Sequence, residues 1–237
     1  MRINSLVDAA ELELEVVTLS PEESHHLARV LRVQVGQEIV LFDGLGHVAD
    51  AVIETVGKSA VEARVSSRHR VPPPAVQIDL IQAVPKSDRW DLVMQKAVEL
   101  GVLNIRPVLT QHTEFRPNDK KTARWQKIVL NAAQQCEVRW LPALHPLQAF
   151  DAILSDLGSY DLVLIGSLYA GTTPFREIPL AGKQNVALLI GPEGDFSQEE
   201  VEAAVQAGAV PVSFGDRVLR TETAAIFGLS VLAYELL

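Results

Sequence analysis

The sequence predicts an α/β protein in which a short β-rich region precedes a larger domain built on a parallel sheet. The run Val71-Pro72-Pro73-Pro74 divides the chain, because three prolines favour a stiff extended linker and continue neither a helix nor a central strand. Short strand-like runs separated by tight turns precede this run. Apolar strands alternating with helices follow it, which is typical of a parallel sheet covered by helices. We therefore expect one domain over residues 1–70 and another over 75–237.

Composition limits the class of protein. The chain has 237 residues, of which 48% are hydrophobic, so a well-filled core is expected. A single cysteine, Cys136, excludes an internal disulfide framework and a cysteine-rich zinc site, and fits a reducing cytoplasm. The acidic residues between Asp8 and Glu15 argue against a signal peptide. The longest apolar strand is far too short to span a bilayer, so we expect a cytoplasmic protein without a membrane segment.

The formal net charge of -9 neither supports nor excludes a nucleic-acid partner. Basic domains are the usual footprint of such proteins, because phosphate contacts dominate affinity. Here the acidic residues concentrate near the N-terminus and over 193–202, and basic residues cluster elsewhere. The basic residues in question are Arg64, Arg68, Arg70, Arg116, Lys120, Lys121, Arg124 and Lys127. Each cluster is more typical of a solvated face than of a binding patch.

The first region is expected to be a small barrel. A strand over 16–19 leads to Ser20-Pro21-Glu22-Glu23, which opens a helix running to Arg32, with Ser20 as the cap and Glu23 closing a capping box. Strands then follow over 38–42, 49–56 and 59–65, and Asp43-Gly44 is a turn signal between the first two.

In the second region, strands and helices alternate. The apolar runs predict strands over 76–84, 105–109, 162–165, 186–190 and 210–214. Helical spacing and capping signals predict helices over 88–100, 119–137, 150–157, 197–207 and 222–237.

Two loops of the second region are expected to form a ligand pocket. The strand ending at Ile190 runs into Gly191-Pro192-Glu193-Gly194, and ligands in open α/β sheets bind beyond the carboxyl ends of strands. A second strand leads through Phe214-Gly215 to Leu219-Arg220, after which Thr221 caps an apolar helix that should be buried. Arg220 and Glu222 stand at this junction and need partners or a ligand. The alternatives are an ordinary tight turn, and an ion pair of Arg220 with Glu222 or Glu193 that braces the loops.

These two motifs, Gly191-Pro-Glu-Gly194 and Leu219-Arg-Thr-Glu-Thr-Ala224, resemble the RsmE-type 16S rRNA uridine-N3 methyltransferases of the SPOUT superfamily. The likeness extends along the chain. His25-His26-Leu-Ala-Arg29-Val-Leu-Arg32 is similar to that family's N-terminal PUA-like RNA-binding domain, and Lys86-Ser-Asp-Arg89 to the start of its first catalytic-domain helix. Gln135 to Arg139 followed by Pro142 is similar to a third motif. The sequence departs from the family at Asp195, where a second glycine is usual, and over 110–114 and 136–138.

The resemblance implies a fold, a cofactor and a partner. It implies a C-terminal trefoil knot, a homodimer whose active sites use both subunits, and 16S rRNA or the small ribosomal subunit as substrate. It also implies that S-adenosylmethionine is bound by the loops after Ile165, Ile190 and Leu219, with the adenine held largely by backbone groups. The residues expected to bind it are Gly166, Ser167, Ile190, Gly191, Pro192, Glu193, Gly194, Leu219, Thr221, Thr223 and Ala224.

Methylation at uridine N3 requires removal of the imino proton, so the site needs a base. Glu222, Glu193 and Asp195 are candidates by type and place, with Glu222 first. Arg220 or Arg139 is expected to stabilise negative charge at the uracil carbonyls. The residues expected to contact RNA are His25, Arg29, Arg32, Lys86 and Arg89.

Three other interpretations remain open. The chain is alternatively a SPOUT methyltransferase for another RNA or another atom, or an RNA-binding protein without catalysis. An α/β enzyme using Gly191–Gly194 for a phosphate is the third, although no Lys and Ser/Thr pair follows that loop. No metal site is expected, because His25 and His26 are adjacent on a helix and point in different directions.

Overall fold

The computed structural model describes residues 2–57, 60–86, 89–115, 117–169 and 171–237. The predicted strand start at Ser59, the predicted helix start at Asp88 and the basic residue Arg116 lie outside these ranges. The chain divides into two compact units. The first comprises Met1–Pro74 with Ala133–Leu141, and the second Ala75–Ala132 with Pro142–Leu237.

The first unit is built on a five-stranded sheet. Its strands are β1 (Ile3–Leu6), β2 (Val16–Thr18), β3 (Glu38–Phe42), β4 (His47–Val56) and β5 (Val61–Arg70). Their order is β1-β3-β4-β5-β2, and only β1 and β3 run parallel. β1 and β2 lie at the two edges, and no ladder joins them in the residues described, so the sheet is not closed by hydrogen bonds into a barrel. Its alternating inward residues bury one apolar core.

The helix of the first unit differs from its prediction at both ends. Helix α1 (Pro21–His25) continues as a π-helix over His26–Leu31. Ser20 Oγ accepts the Glu23 backbone N–H at 3.3 Å as expected, but the Glu23 carboxylate accepts bonds from Ser5 Oγ and Gln134 Nε2 rather than closing a capping box. Arg32 ends the π-helix in the left-handed conformation, with φ 55°. The helix therefore ends one residue before the predicted end at Arg32, which is its C-cap.

Residues 133–141 join the first unit through specific bonds. Gln134 Nε2 donates to Glu23 Oε1 at 3.1 Å, and the Leu141 backbone N–H donates to the Gly44 carbonyl at 2.9 Å. A Cβ at Gly44 would lie 2.8 Å from Leu141 Cβ, and Gly44 has φ 75°, so both space and backbone conformation require glycine in this turn.

The second unit is built on an entirely parallel sheet. Its strands are β6 (Gln77–Ala83), β7 (Asn104–Leu109), β8 (Ala143–Leu144), β9 (Gln148–Ala149), β10 (Leu162–Gly166), β11 (Thr173–Pro174), β12 (Asn185–Ile190) and β13 (Ala209–Ser213). The order is β11-β13-β10-β12-β6-β7-β8, with β9 also paired to β7. Its helices are α2 (Arg89–Glu99), α3 (Asp119–Gln135), α4 (Phe150–Ile153), α5 (Gln198–Gln206) and α6 (Thr221–Leu236).

Helices cover both faces of this sheet, so its central strands are buried almost continuously. Phe150 of α4 and Val201 of α5 pack into the core on one face. On the other face α6 lies close against β12, since a Cβ at Gly228 would be 2.7 Å from Leu188 Cδ2. Across the described ranges, none of the helices has the length and apolar character needed to cross a membrane.

Candidate active site

A cavity of about 470 Å³ lies at the carboxyl ends of β10, β12 and β13, where α6 begins. Because these strands are parallel and adjacent, the loops that follow them meet at one edge of the sheet. The lining residues are Arg89, Gly166, Ser167, Leu168, Ile190, Gly191, Pro192, Glu193, Gly194, Asp195, Ser213, Phe214, Gly215, Arg217, Val218, Leu219, Arg220, Thr221 and Ala224.

The glycines of the cavity wall are required by close packing. A Cβ at Gly166 would lie 2.9 Å from the Phe214 ring, and one at Gly191 would lie 3.0 Å from Asp195 Oδ1. A Cβ at Gly194 would meet His112 Cβ at 3.1 Å. Glycine therefore lets each loop run directly against its neighbour and leaves backbone groups facing the cavity.

Thr221 and Gln82 tie together three chain segments beneath the cavity. Thr221 Oγ1 donates to the Gly191 carbonyl at 2.5 Å and accepts Gln82 Nε2 at 3.0 Å. Gln82 is fully buried at the end of β6, and its Oε1 has no hydrogen-bond partner among the described residues. The prediction that Thr221 caps α6 is wrong. Arg220 is the N-cap residue and makes no side-chain cap bond, because the Thr221 hydroxyl is directed to Gly191 instead.

Arg89, at the start of α2, is the cation that faces the acidic residues here. Its Nη1 lies 3.5 Å from Glu193 Oε1, and its Nε lies 3.8 Å from Glu222 Oε1. Arg220 makes no ion pair within the described part of the chain, so the alternative of a bracing pair between Arg220 and either carboxylate is wrong. Glu222 is mostly buried, and its Oε2 has no hydrogen-bond partner among those residues. One oxygen of Glu222 thus faces a cation, and the other is buried without a donor in the described part of the chain.

Comparison with known proteins identifies the family. Residues 72–233 match the model of an RNA methyltransferase domain, and residues 19–66 match that of an RNA methyltransferase PUA domain. The chain belongs to the RNA methyltransferase family. This confirms the resemblance and the enzyme class that the motifs predict.

Relatives of this methyltransferase are similar over nearly its whole length. Ribosomal RNA small subunit methyltransferase E of Synechocystis is 31% identical over 95% of this chain and 75% of the relative. The Mycobacterium tuberculosis enzyme of the same name is 32% identical over 90% of this chain and 84% of its own.

Solved structures similar to this methyltransferase include two that contain a cofactor. The Neisseria gonorrhoeae ribosomal RNA small subunit methyltransferase E, bound to S-adenosylmethionine, is 30% identical with a TM-score of 0.90, covering 99% of this chain and 98% of its own. A Legionella pneumophila protein in complex with S-adenosylmethionine is 35% identical with the same TM-score and coverage.

The residues predicted to hold a cofactor in this methyltransferase converge on the cavity. All of them line it except Thr223, which is exposed on the first turn of α6. The sequence assigned no role to Leu168, Ser213, Arg217 or Val218, and it named Phe214-Gly215 only as part of a ligand loop. Asp195, a candidate base, also lines the cavity. Arg89, predicted to contact RNA, also lines the cavity.

Of the other predicted functional residues, Arg220 lines the cavity, whereas the following do not. Lys86 Nζ pairs with Glu114 Oε2 at 2.5 Å in the second unit. His25 and Arg29 are exposed in the first unit, where they line a separate cavity of about 380 Å³. Arg139 is also in the first unit, where its Nη1 donates to Asn4 Oδ1 at 2.8 Å and burial lowers its pKa.

Among the described residues, no group of three or more His, Cys, Asp or Glu side chains is placed to hold a metal ion.

Proposed function

We propose that this methyltransferase binds S-adenosylmethionine in the cavity and methylates N3 of a uridine in 16S rRNA. The observation that carries the proposal is the convergence of two separated motifs, Gly191–Gly194 and Leu219–Ala224, on one cavity. The cofactor present in structures of two similar proteins, and the ribosomal RNA small subunit named in the relatives, support the same assignment.

The residues of the cavity fit such a cofactor. Its volume is within the range of small-molecule sites, and the glycine positions bring backbone groups to its surface. Backbone groups of Leu219 and Thr221 would hold the adenine. When bound, S-adenosylmethionine supplies a methyl group on a positively charged sulfur.

Glu222 is the proposed base for the uridine imino proton. Arg89 engages Oε1 of Glu222, and Oε2 has no donor within the described ranges. Both oxygens of Asp195 already accept backbone hydrogen bonds, which makes it a weaker candidate than Glu222. Removing the proton gives N3 a lone pair directed away from the ring, and holding this nitrogen in line with the methyl group accounts for most of the rate.

Arg220 and Arg139 are proposed to stabilise the negative charge that develops on the uracil carbonyls. Arg220 lines the cavity without an ion pair in the part of the chain described. A homodimer, in which each active site uses residues of both subunits, would let a second copy supply Arg139.

The C-terminal chain is proposed to form a trefoil knot of the SPOUT type. Two features support it: β12 and β13 pair with opposite edges of β10, and α6 then packs against β12 and β6. The chain after β13 therefore has to pass back across the end of β10, beside the loop that follows it.

Residues 1–70 are proposed to be a PUA-like RNA-binding domain, and 75–237 the methyltransferase domain acting in the cytoplasm. In the first, His25, Arg29 and Arg32 are exposed. Exposed cations of this kind suit phosphate contacts that position RNA without reading its sequence.

Two measurements test the proposal. Titration calorimetry should detect S-adenosylmethionine binding to the purified chain, and its absence would refute the enzymatic interpretation in favour of simple RNA binding. Mass mapping of 16S rRNA, from cells lacking the protein and after treatment with it, should show one uridine gaining a methyl group at N3. A methyl group on another atom or another RNA would indicate a related methyltransferase of different specificity.

A further inference from the structure

Asp195 occupies a backbone conformation that favours glycine. Its φ is 59°, in the left-handed region that costs a side-chain-bearing residue free energy. A residue that keeps this conformation without being glycine needs a compensating interaction.

The Asp195 carboxylate provides that interaction by joining two loops of the cavity. Oδ1 accepts the backbone N–H of Phe196 at 2.8 Å, within its own loop. Oδ2 accepts the backbone N–H of Leu168 at 3.0 Å, in the loop that follows β10. Leu168 and Asp195 both line the cavity. Hydrogen bonds to a charged acceptor are stronger than those between neutral groups.

A second bond holds the same loop. The Tyr169 hydroxyl donates to the Phe196 carbonyl at 3.2 Å, and the Tyr169 backbone N–H donates to Ser167 Oγ at 3.1 Å. We call Ser167–Tyr169 the wall segment. The side chain of Leu168 is 64% exposed, so packing does little to hold it, and the bonds to Asp195 and Phe196 are what attach the segment to the neighbouring loop.

We propose that Asp195 is a positioning residue that fastens the wall segment against the cavity and thereby strengthens cofactor binding. The inference rests on the proposed function of the cavity. A segment that is already ordered before binding does not lose its conformational freedom on binding, so the affinity is higher than with a free segment. This fastening is specific to a chain with aspartate at position 195, because glycine has no acceptor for Leu168.

The test compares S-adenosylmethionine with the reaction product S-adenosylhomocysteine, whose sulfur is uncharged. Asp195→Gly removes the carboxylate and also relieves the backbone strain, so the variant should remain folded. Calorimetry should show the affinity for both ligands reduced by a similar factor of about 10, as expected when the charged hydrogen bond between the two loops is lost. The affinities of Asp195→Asn should lie between those of the unmodified protein and Asp195→Gly. Its amide oxygen can accept only one of the two N–H groups if the NH₂ faces the other.

Tyr169→Phe is a second variant that removes only the hydroxyl bond to Phe196. It should reduce the affinity for both ligands, but by less than Asp195→Gly does, because the bond that it removes is between neutral groups. Turnover assays should show a higher KM for S-adenosylmethionine with kcat nearly unchanged for Asp195→Gly. A merely structural role would instead reduce the amount of active protein and leave KM unchanged.

Asp161→Gly is the matched control. Asp161 Oδ2 also accepts two backbone N–H groups, from Gln184 and Asn185, but at the amino end of the strands. This variant should leave both affinities unchanged. If Asp195→Gly weakens S-adenosylmethionine alone, the carboxylate acts by its charge and the fastening role is overturned; unchanged affinity for both ligands overturns it too. Failure of the unmodified protein to bind S-adenosylmethionine would refute the proposed function instead.

Discussion

The two ends of the parallel sheet both carry polar side chains in buried surroundings, but only at the carboxyl end do the unpartnered acceptors stand beside the cavity of the candidate site. At the carboxyl end, Gln82 Oε1 and Glu222 Oε2 are buried acceptors without a donor in the described residues, beside a cavity. At the amino end, Asp79 is only 2% exposed, yet it accepts the Tyr160 hydroxyl at 2.6 Å and Asn104 Nδ2 at 2.8 Å. The carboxyl end therefore leaves acceptors unpaired beside a candidate ligand site, whereas the Asp79 carboxylate at the amino end finds its donors within the protein.

Charged side chains are also paired differently at the two ends of the sheet. At the amino end Arg106 Nη2 lies 2.5 Å from Asp156 Oδ2, and this hydrogen bond holds the pKa of Asp156 below its usual value. Arg106 Nε and Asn185 Oδ1 are the exceptions there, being buried without a partner in the described ranges. At the carboxyl end Arg89 stands 3.5 Å or more from both carboxylates that it faces. Loose pairing leaves these groups free to engage a substrate, whereas the tight pair at the amino end contributes stability.

The largest expected effect is on catalysis at the carboxyl end. Glu222→Gln keeps the size of the side chain but removes the base, so kcat should fall about a thousandfold. S-adenosylmethionine affinity should change little, because Glu222 does not line the cavity. Single-turnover assays with 16S rRNA measure the rate, and Glu193→Gln, which removes the other carboxylate facing Arg89, is the control. Unchanged turnover in Glu222→Gln would exclude it as the base.

The next largest effect should be on the free energy of unfolding, from a substitution at the amino end of the sheet. Asp79→Ala leaves the Tyr160 hydroxyl and the Asn104 amide without their acceptor in a buried position. We expect the free energy of unfolding to fall by about 3 kcal/mol, a typical cost for breaking a buried charged network. Urea denaturation measures this loss. Cofactor affinity should stay within twofold of the unmodified protein, and a large loss of affinity would mean that the two ends are not separable.

Substitution of Thr221 should have a smaller effect than these two, and it concerns a residue that contributes to both cofactor binding and stability. Thr221→Val keeps the shape of the side chain but removes the donor to Gly191 and the acceptor for Gln82. We expect S-adenosylmethionine affinity to fall about tenfold, or about 1.4 kcal/mol. Thr221→Ser retains the hydroxyl and should restore most of the affinity in calorimetry. A loss in Thr221→Ser as large as that in Thr221→Val would show that the hydroxyl alone does not account for the affinity.

Sequence patterns predicted the position of the cavity, because loops that follow parallel strands meet at one edge of the sheet. Gly191 and Leu219 follow apolar strands, and parallel strands bring such loops together. The contacts beneath them were not predictable. Gln82 stands within an apolar strand, and its bond to Thr221 joins residues 139 positions apart. The position of Arg89 at the start of a helix does not reveal that it faces Glu193 and Glu222. The grouping of residues 133–141 with the first unit likewise depends on contacts distant in sequence, such as that of Gln134 with Glu23.

The smallest expected effect is a pH dependence of stability from the amino end. Burial, together with the hydrogen bond to Asp79, raises the pKa of Tyr160 to about 12, against about 10 in the unfolded chain. A raised pKa in the folded state gives stability that is complete below pH 10 and is lost as the pH rises through about 12.

Tyr160→Phe should abolish this dependence. The contribution of Tyr160 should be about 1 kcal/mol after allowance for solvent screening at a half-buried side chain. Urea denaturation of both proteins at pH 9 and pH 11 measures it. The unmodified protein should lose more stability than Tyr160→Phe over this interval, because only in it does the unfolded state release a proton that the folded state retains. Parallel losses in the two proteins would show that the hydroxyl is not held in its neutral form by Asp79.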